Sequence, residues 1–109
     1  MDFRQTVKSS IVYSSNPKSV AIGDLNNDQR MDIVVVNSGT DTFSIFLGIG
    51  NETFQNQQTY LTGFTSQPNS IVINHFNNDQ YLDIAVANYG TNNIGIFFGN
   101  KNGTFENQT

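Results

Sequence analysis

Slid along itself by 51 residues, the chain aligns without a gap: over Val20–Phe54 against Ile71–Phe105, 17 of 35 positions are identical. Nothing else in the sequence limits the fold so strongly. A unit repeated at a fixed period of this length buries its apolar surface against its neighbours rather than within itself. The identities include Asn26/Asn77, Asp28/Asp79, Asp32/Asp83, Asn37/Asn88, Gly39/Gly90, Gly48/Gly99 and Phe54/Phe105. The same phase runs backwards through Ser15/Ser66, Pro17/Pro68 and Ser19/Ser70 to Phe3/Phe54, so the chain holds slightly more than two units.

Within a unit the residue types read as strands separated by turns, and helical periodicity is nowhere evident. "SVAIG" and "SIVIN" are short β-rich runs, while "DIVVVN" and "DIAVAN" are continuous apolar runs, the pattern of a strand buried on both faces. "FSIFLG" and "IGIFFG" form a third run, entered through "SGTDT" and "YGTNN", whose Gly, Asn and Asp tolerate the positive φ of hairpin turns. "FQNQQTYL" is a fourth, alternating but polar, as suits an exposed edge strand. The expectation is an all-β chain: two four-stranded antiparallel blades of a β-propeller, forming an incomplete part of a larger ring. The rivals are a β-sandwich, which has no need of a fixed period, and a β-solenoid, whose rung is usually much shorter. The phase sets the expected boundaries: residues 1–14 the outer strand of a preceding blade, 15–65 the first repeat, and 66–109 the second with its outer strand truncated.

Charge narrows the partners. The net charge is −4 and no Lys/Arg cluster exists, which argues against nucleic acid, since phosphate binding needs a basic footprint. Five of the nine acids, Asp24, Asp28, Asp32, Asp79 and Asp83, sit in two short repeated segments, so the acidity is local. No apolar run is long enough to span a membrane, and the first ten residues lack the order of a signal peptide. Membrane insertion by this segment is not expected, and a targeting segment would lie outside it. With no Cys, neither a disulfide framework nor a thiolate metal site is available.

The two acidic segments are "DLNNDQRMD" from Asp24 and "HFNNDQYLD" from His75. Ca²⁺ takes six to eight oxygen ligands, and alternate residues of a tightly curled loop aim their oxygens at one centre. In the first loop Asp24, Asn26, Asp28 and Asp32 supply side-chain oxygens and Arg30 its carbonyl, with the Arg30 side chain turned away. In the second, Asn77, Asp79 and Asp83 with the Tyr81 carbonyl form a weaker version, because His75 replaces the first carboxylate and imidazole suits a hard ion poorly. The bland alternative is that Asn and Asp make Asx-turns between two strands.

The order "VAIGDLNNDQRMDIVVVNSGTDTFSIFLGIGNETF" resembles the FG-GAP/VCBS-type repeat, the blade unit of integrin-α-like propellers. The resemblance covers nearly the whole chain, through the acidic loops, the "NSG" and "NYG" turns and the "GIGNETF" and "GNKNGTF" turns. It implies Ca²⁺ in the loops, and it marks one departure: Gln29 and Gln80 stand where the family usually has Gly, so φ is strained there or the loop takes another geometry.

Asn51, Asn102 and Asn107 begin Asn-x-Thr sequons, candidate glycosylation sites in an exported protein. Phe46, Phe54, Phe97 and Phe105 are either stacking platforms for a sugar or packing between blades, and their repeat-locked positions favour packing. A single histidine and two arginines leave no nucleophile–base set, so no enzyme is expected. The resemblance implies a calcium-binding propeller segment of an extracellular or cell-surface protein, serving adhesion or interaction with an unknown protein or glycan ligand. The expected partners are neighbouring blades, or head-to-tail copies of the isolated chain. Two other readings stay open: a propeller part of a secreted carbohydrate-active enzyme such as a polysaccharide lyase, and an architectural spacer.

Overall fold

The computed structural model describes residues 16–50, 53–77 and 80–107. Among them ten strands run β1 (Pro17–Gly23), β2 (Asp32–Asn37), β3 (Thr42–Phe46), β4 (Gly48–Gly50), β5 (Thr53–Phe54), β6 (Gln58–Leu61), β7 (Pro68–Asn74), β8 (Asp83–Asn88), β9 (Asn93–Gly99) and β10 (Phe105–Asn107). They form two four-stranded antiparallel sheets, β1-β2-β3-β6 and β7-β8-β9-β10, and a small β4-β5 hairpin. The fold is all-β without a closed barrel among the described residues, and it matches two partial propeller blades.

The repeat persists at the level of register. Ile22 faces Ile33 and Ile33 faces Phe46 in the first sheet; Ile73 faces Ile84 and Ile84 faces Phe97 in the second. The first strand of each sheet, an edge strand, carries an irregularity at the same place, between Pro17 and Ser19 and between Pro68 and Ser70, because proline has no N–H for the ladder. The turns into β3 and β9 use positive φ at Asp41 and Asn92, 56° and 55°, residue types that tolerate the left-handed region. The polar fourth run is less regular than its alternation suggests. Phe54 pairs with Gly48 in the hairpin, residues 55–57 leave the ladder, and only Gln58–Leu61 edges the first sheet. In the second sheet the hairpin is continuous with β9, and Phe105–Asn107 supplies the fourth strand.

The two sheets stack face to face, with β7 lying against β1 and β2. Alternation along each strand decides what they share. Val34, Val36, Phe43 and Ile45 of the first sheet meet Ile71, Ile84, Val86 and Phe97 of the second in one buried cluster, which Leu25, Leu47 and Phe105 complete. Ile33, Val35 and Phe46 point the other way and form a separate buried cluster with Phe54. Four rings tie the sheets together: Phe43 stacks on Tyr60 at 5.1 Å and meets Phe97 edge-on at 4.8 Å, while Phe105 stands edge-on to Tyr60 at 5.9 Å. Each such pair adds about 0.5–1.5 kcal/mol beyond its buried area. The packing role thus holds for Phe97 and Phe105 between the sheets and for Phe46 and Phe54 on the other face. The double-sided burial read from "DIVVVN" is complete in β2, but "DIAVAN" leaves Ala87 exposed, since no element covers that face of β8 among the described residues.

Candidate metal centre

Two sharp connections, β1 to β2 and β7 to β8, bring the acidic loops to the same end of the stacked sheets. Asn27 Nδ2 of the first loop donates to the Gln80 carbonyl of the second at 3.3 Å, so the loops touch. In the first loop the chain curls around its own carboxylates. Asp24 accepts the N–H groups of Asp28 (3.1 Å) and Gln29 (2.8 Å), and Asp28 accepts that of Arg30 (2.9 Å). Asn27 and Gln29 take positive φ, 58° and 66°. Gln29 therefore keeps the left-handed turn that glycine would make freely, at an expected cost of about 1–2 kcal/mol.

This curl brings carboxylate oxygens of Asp24, Asp28 and Asp32 within 4.8 Å of one another. The Asn26 amide joins them: one of its ends lies 3.2 Å from Asp24 Oδ1 and 3.0 Å from Asp28 Oδ1. With nitrogen at that end the amide bridges the two carboxylates; with oxygen there, four side chains present oxygens to one centre. That donor set fits a hard cation such as Ca²⁺. The Arg30 guanidinium is drawn off toward the β4-β5 hairpin, its Nε 3.8 Å from where a Cβ on Gly50 would stand.

Asp32 is the most constrained of the four. It is fully buried, its Oδ2 accepts the Leu25 N–H at 2.8 Å, and its Oδ1 accepts the Gly48 N–H at 2.8 Å. Burial pushes its pKa above the usual carboxylate range; the hydrogen bonds from Gly48 and Leu25 oppose this, and the charges of Asp28 and Asp24 add to it. Asp83 repeats the arrangement, accepting Phe76 N–H at 2.9 Å, Asn77 N–H at 3.4 Å and Gly99 N–H at 2.8 Å. The last acid of each loop is thus a clamp between the loop and the chain at the end of the third run: Gly48, which opens β4 just past β3, and Gly99, the last residue of β9. Gly48 and Gly99 are required for the approach, because a Cβ on either would stand 2.4 Å from the Met31 carbonyl or 2.2 Å from the Leu82 carbonyl. Its place in the loop marks this acid only as a ligand; the paired Gly48/Gly99 is the signal that it also has a backbone partner.

The second loop differs where His75 stands. The imidazole Nδ1 lies 3.1 Å from the Tyr81 carbonyl, the oxygen expected to face a cation there, and Nδ1–H donates to it in the matching tautomer. Asp79 lies outside the described residues, as do Asn51 and residues 1–14. Asn102 and Asn107 are exposed. No helix among the described residues is long and apolar enough to cross a membrane.

Residues 24–74 match the FG-GAP-like repeat family, so such a repeat is present, beginning at the first acid of the loop and ending at the close of β7. No curated protein and no solved structure matches the chain.

Proposed function

We propose that this chain is a calcium-binding propeller segment of an extracellular or cell-surface protein, serving adhesion or another interaction with a protein or glycan ligand. Residues 24–74 match the FG-GAP-like repeat, a structural, non-catalytic unit. The observation that carries the metal assignment is the convergence of Asp24, Asp28 and Asp32 within 4.8 Å around the Asn26 amide. The cation neutralises three clustered carboxylates and fixes the connection between β1 and β2, with the Arg30 carbonyl as a further ligand. A site of this charge and exposure has a dissociation constant on the order of 10⁻⁴–10⁻³ M. At ten times that concentration the folded state gains about 1.4 kcal/mol.

The second loop, with Asn77, Asp79, Asp83 and the Tyr81 carbonyl, binds more weakly, chiefly because His75 stands in place of the first carboxylate. Neighbouring blades complete the propeller in the intact protein, and exposed Asn102 and Asn107 are accessible to glycosylation if the protein is exported. Titration calorimetry of the wild type and of Asp28→Ala tests the reading. Calcium heat is expected from the first and almost none from the second; equal responses would remove the first loop as the site.

A further inference from the structure

The two sheets are copies of one unit, yet at several positions each exposes an apolar side chain whose equivalent the other buries. Val20 is 60% exposed while its equivalent Ile71 is 8% exposed; Ile22 and Met31 are likewise exposed while Ile73 and Leu82 pack on the shared core. The opposite faces show the reverse. Ile94 is 62% exposed while its equivalent Phe43 is fully buried, and Val72 and Phe76 are exposed where Ala21 and Leu25 pack in the core. The buried interface inside the chain joins the β7 side of one unit to the Phe43 side of the other. Among the described residues one molecule therefore exposes part of each half of that interface a second time: Val72, Phe76 and Ile94 on the second sheet, and on the first only the β1 strip with Met31, because Ile33, Val35 and Phe46, the equivalents of Ile84, Val86 and Phe97, are already buried.

We infer that a second copy of this chain docks head to tail, its Val20, Ile22 and Met31 covering Val72, Phe76 and Ile94 of the first. This rests on the repeat reading of the fold and is independent of the metal. The contact is continuous with an interface the chain already makes: β7 lies on β1 and β2 within the molecule, and β1 of the next copy takes the corresponding place on β7 and β8. On the β1 side Ile33, Val35 and Phe46 are themselves buried, so the contact is the strip along β1 with Met31 beside it. Inside the chain Leu82 occupies the room left by Gly23, 3.2 Å from its missing Cβ; the open face has Asn74 there, and unbranched, flexible Met31 is the side chain suited to settle beside it. A recess of about 240 Å³ beside Ile94, lined by Ala87, Asn88, Asn92 and Asn93 of the second sheet, stands at the position equivalent to the one on the first sheet where Asp41 accepts the Thr65 and Gln67 N–H groups. Such an interface joins unlike surfaces and propagates rather than closing as a two-fold dimer.

Sedimentation velocity over a wide concentration range tests it, using Val20→Asp and Ile94→Asp, both at exposed positions. The wild type is expected to gain mass with concentration, and each variant to associate roughly tenfold more weakly or less, since each loses one buried aliphatic and gains a charge at the contact. An equimolar mixture of the two variants still holds one intact pair of faces and is expected to form a heterodimer and nothing larger. A monomeric wild type, variants that associate as before, or a mixture that stays monomeric would each overturn the proposal. Circular dichroism checks each fold, with Val72→Asp replacing Ile94→Asp if the latter unfolds. Calcium calorimetry on the same variants reads the metal assignment separately.

Discussion

Asp32 Oδ1 receives the Gly48 N–H at 2.8 Å across 16 residues, and Asp83 receives that of Gly99 at the same distance across the same interval. The clamp recurs in the second loop, where His75 replaces one carboxylate, so its geometry does not depend on the first acid of the loop. It joins the loop after the first strand of each sheet to Gly48 at the start of β4 and to Gly99 at the end of β9.

In calcium-free buffer, Asp83→Ala is therefore expected to destabilise the chain by about 3 kcal/mol or more, because buried backbone donors lose a charged acceptor. Asp83→Asn, which keeps one acceptor oxygen, is expected to fall between it and the wild type. Urea denaturation in a chelator measures both. An Asp83→Ala as stable as the wild type would show that water replaces the carboxylate there.

Gln29 holds φ at 66°. Replacement by glycine removes a strain of about 1–2 kcal/mol but adds freedom to the unfolded chain, leaving a net gain of about 0.5–1 kcal/mol. Thermal unfolding of Gln29→Gly is expected to show a midpoint raised by a few degrees. No rise would mean the loop relaxes around glutamine at no cost.

His75 occupies the Tyr81 carbonyl at 3.1 Å. His75→Asp frees that oxygen and restores a third carboxylate, so calorimetry at saturating calcium is expected to report a second equivalent of bound metal. His75→Ala frees the carbonyl without adding charge and is expected to change the calcium response little. Stoichiometry that stays at one in His75→Asp would place the obstacle in Gln80 or the flanking turns.

The raised pKa of Asp32 sets a pH dependence with a definite sign. Without metal the folded state holds this proton more tightly than the unfolded chain does, so the Asp32 contribution is fully present below the unfolded value of 3.8 and is lost as pH rises through the raised folded value. Calcium needs the ionised form. Its apparent affinity is therefore expected to fall on acidification from a higher pH than an ordinary carboxylate would give, and Asp32→Asn is expected to flatten that part of the profile. Calcium titrations at stepped pH, in buffers of matched ionic strength, read both effects.

The repeat, the strand runs and the acidic loop were legible in the residues because each is a local property: a period of 51, a run such as "DIVVVN", alternate oxygens in "DLNND". Identical local chemistry even carried the strand register from one sheet to the other. Long-range contact decided the rest. That Asp32 and Asp83 clamp a glycine backbone 16 residues away, that His75 reaches the Tyr81 carbonyl, and that Tyr60 Oη accepts the Phe105 N–H at 3.2 Å depends on which strand ends the sheets bring together. The same holds for burial. Val20 and Ile71 have nearly the same side chain in the same register position, and only the second lies under another sheet, so hydrophobicity set which residues could be buried and stacking chose which were.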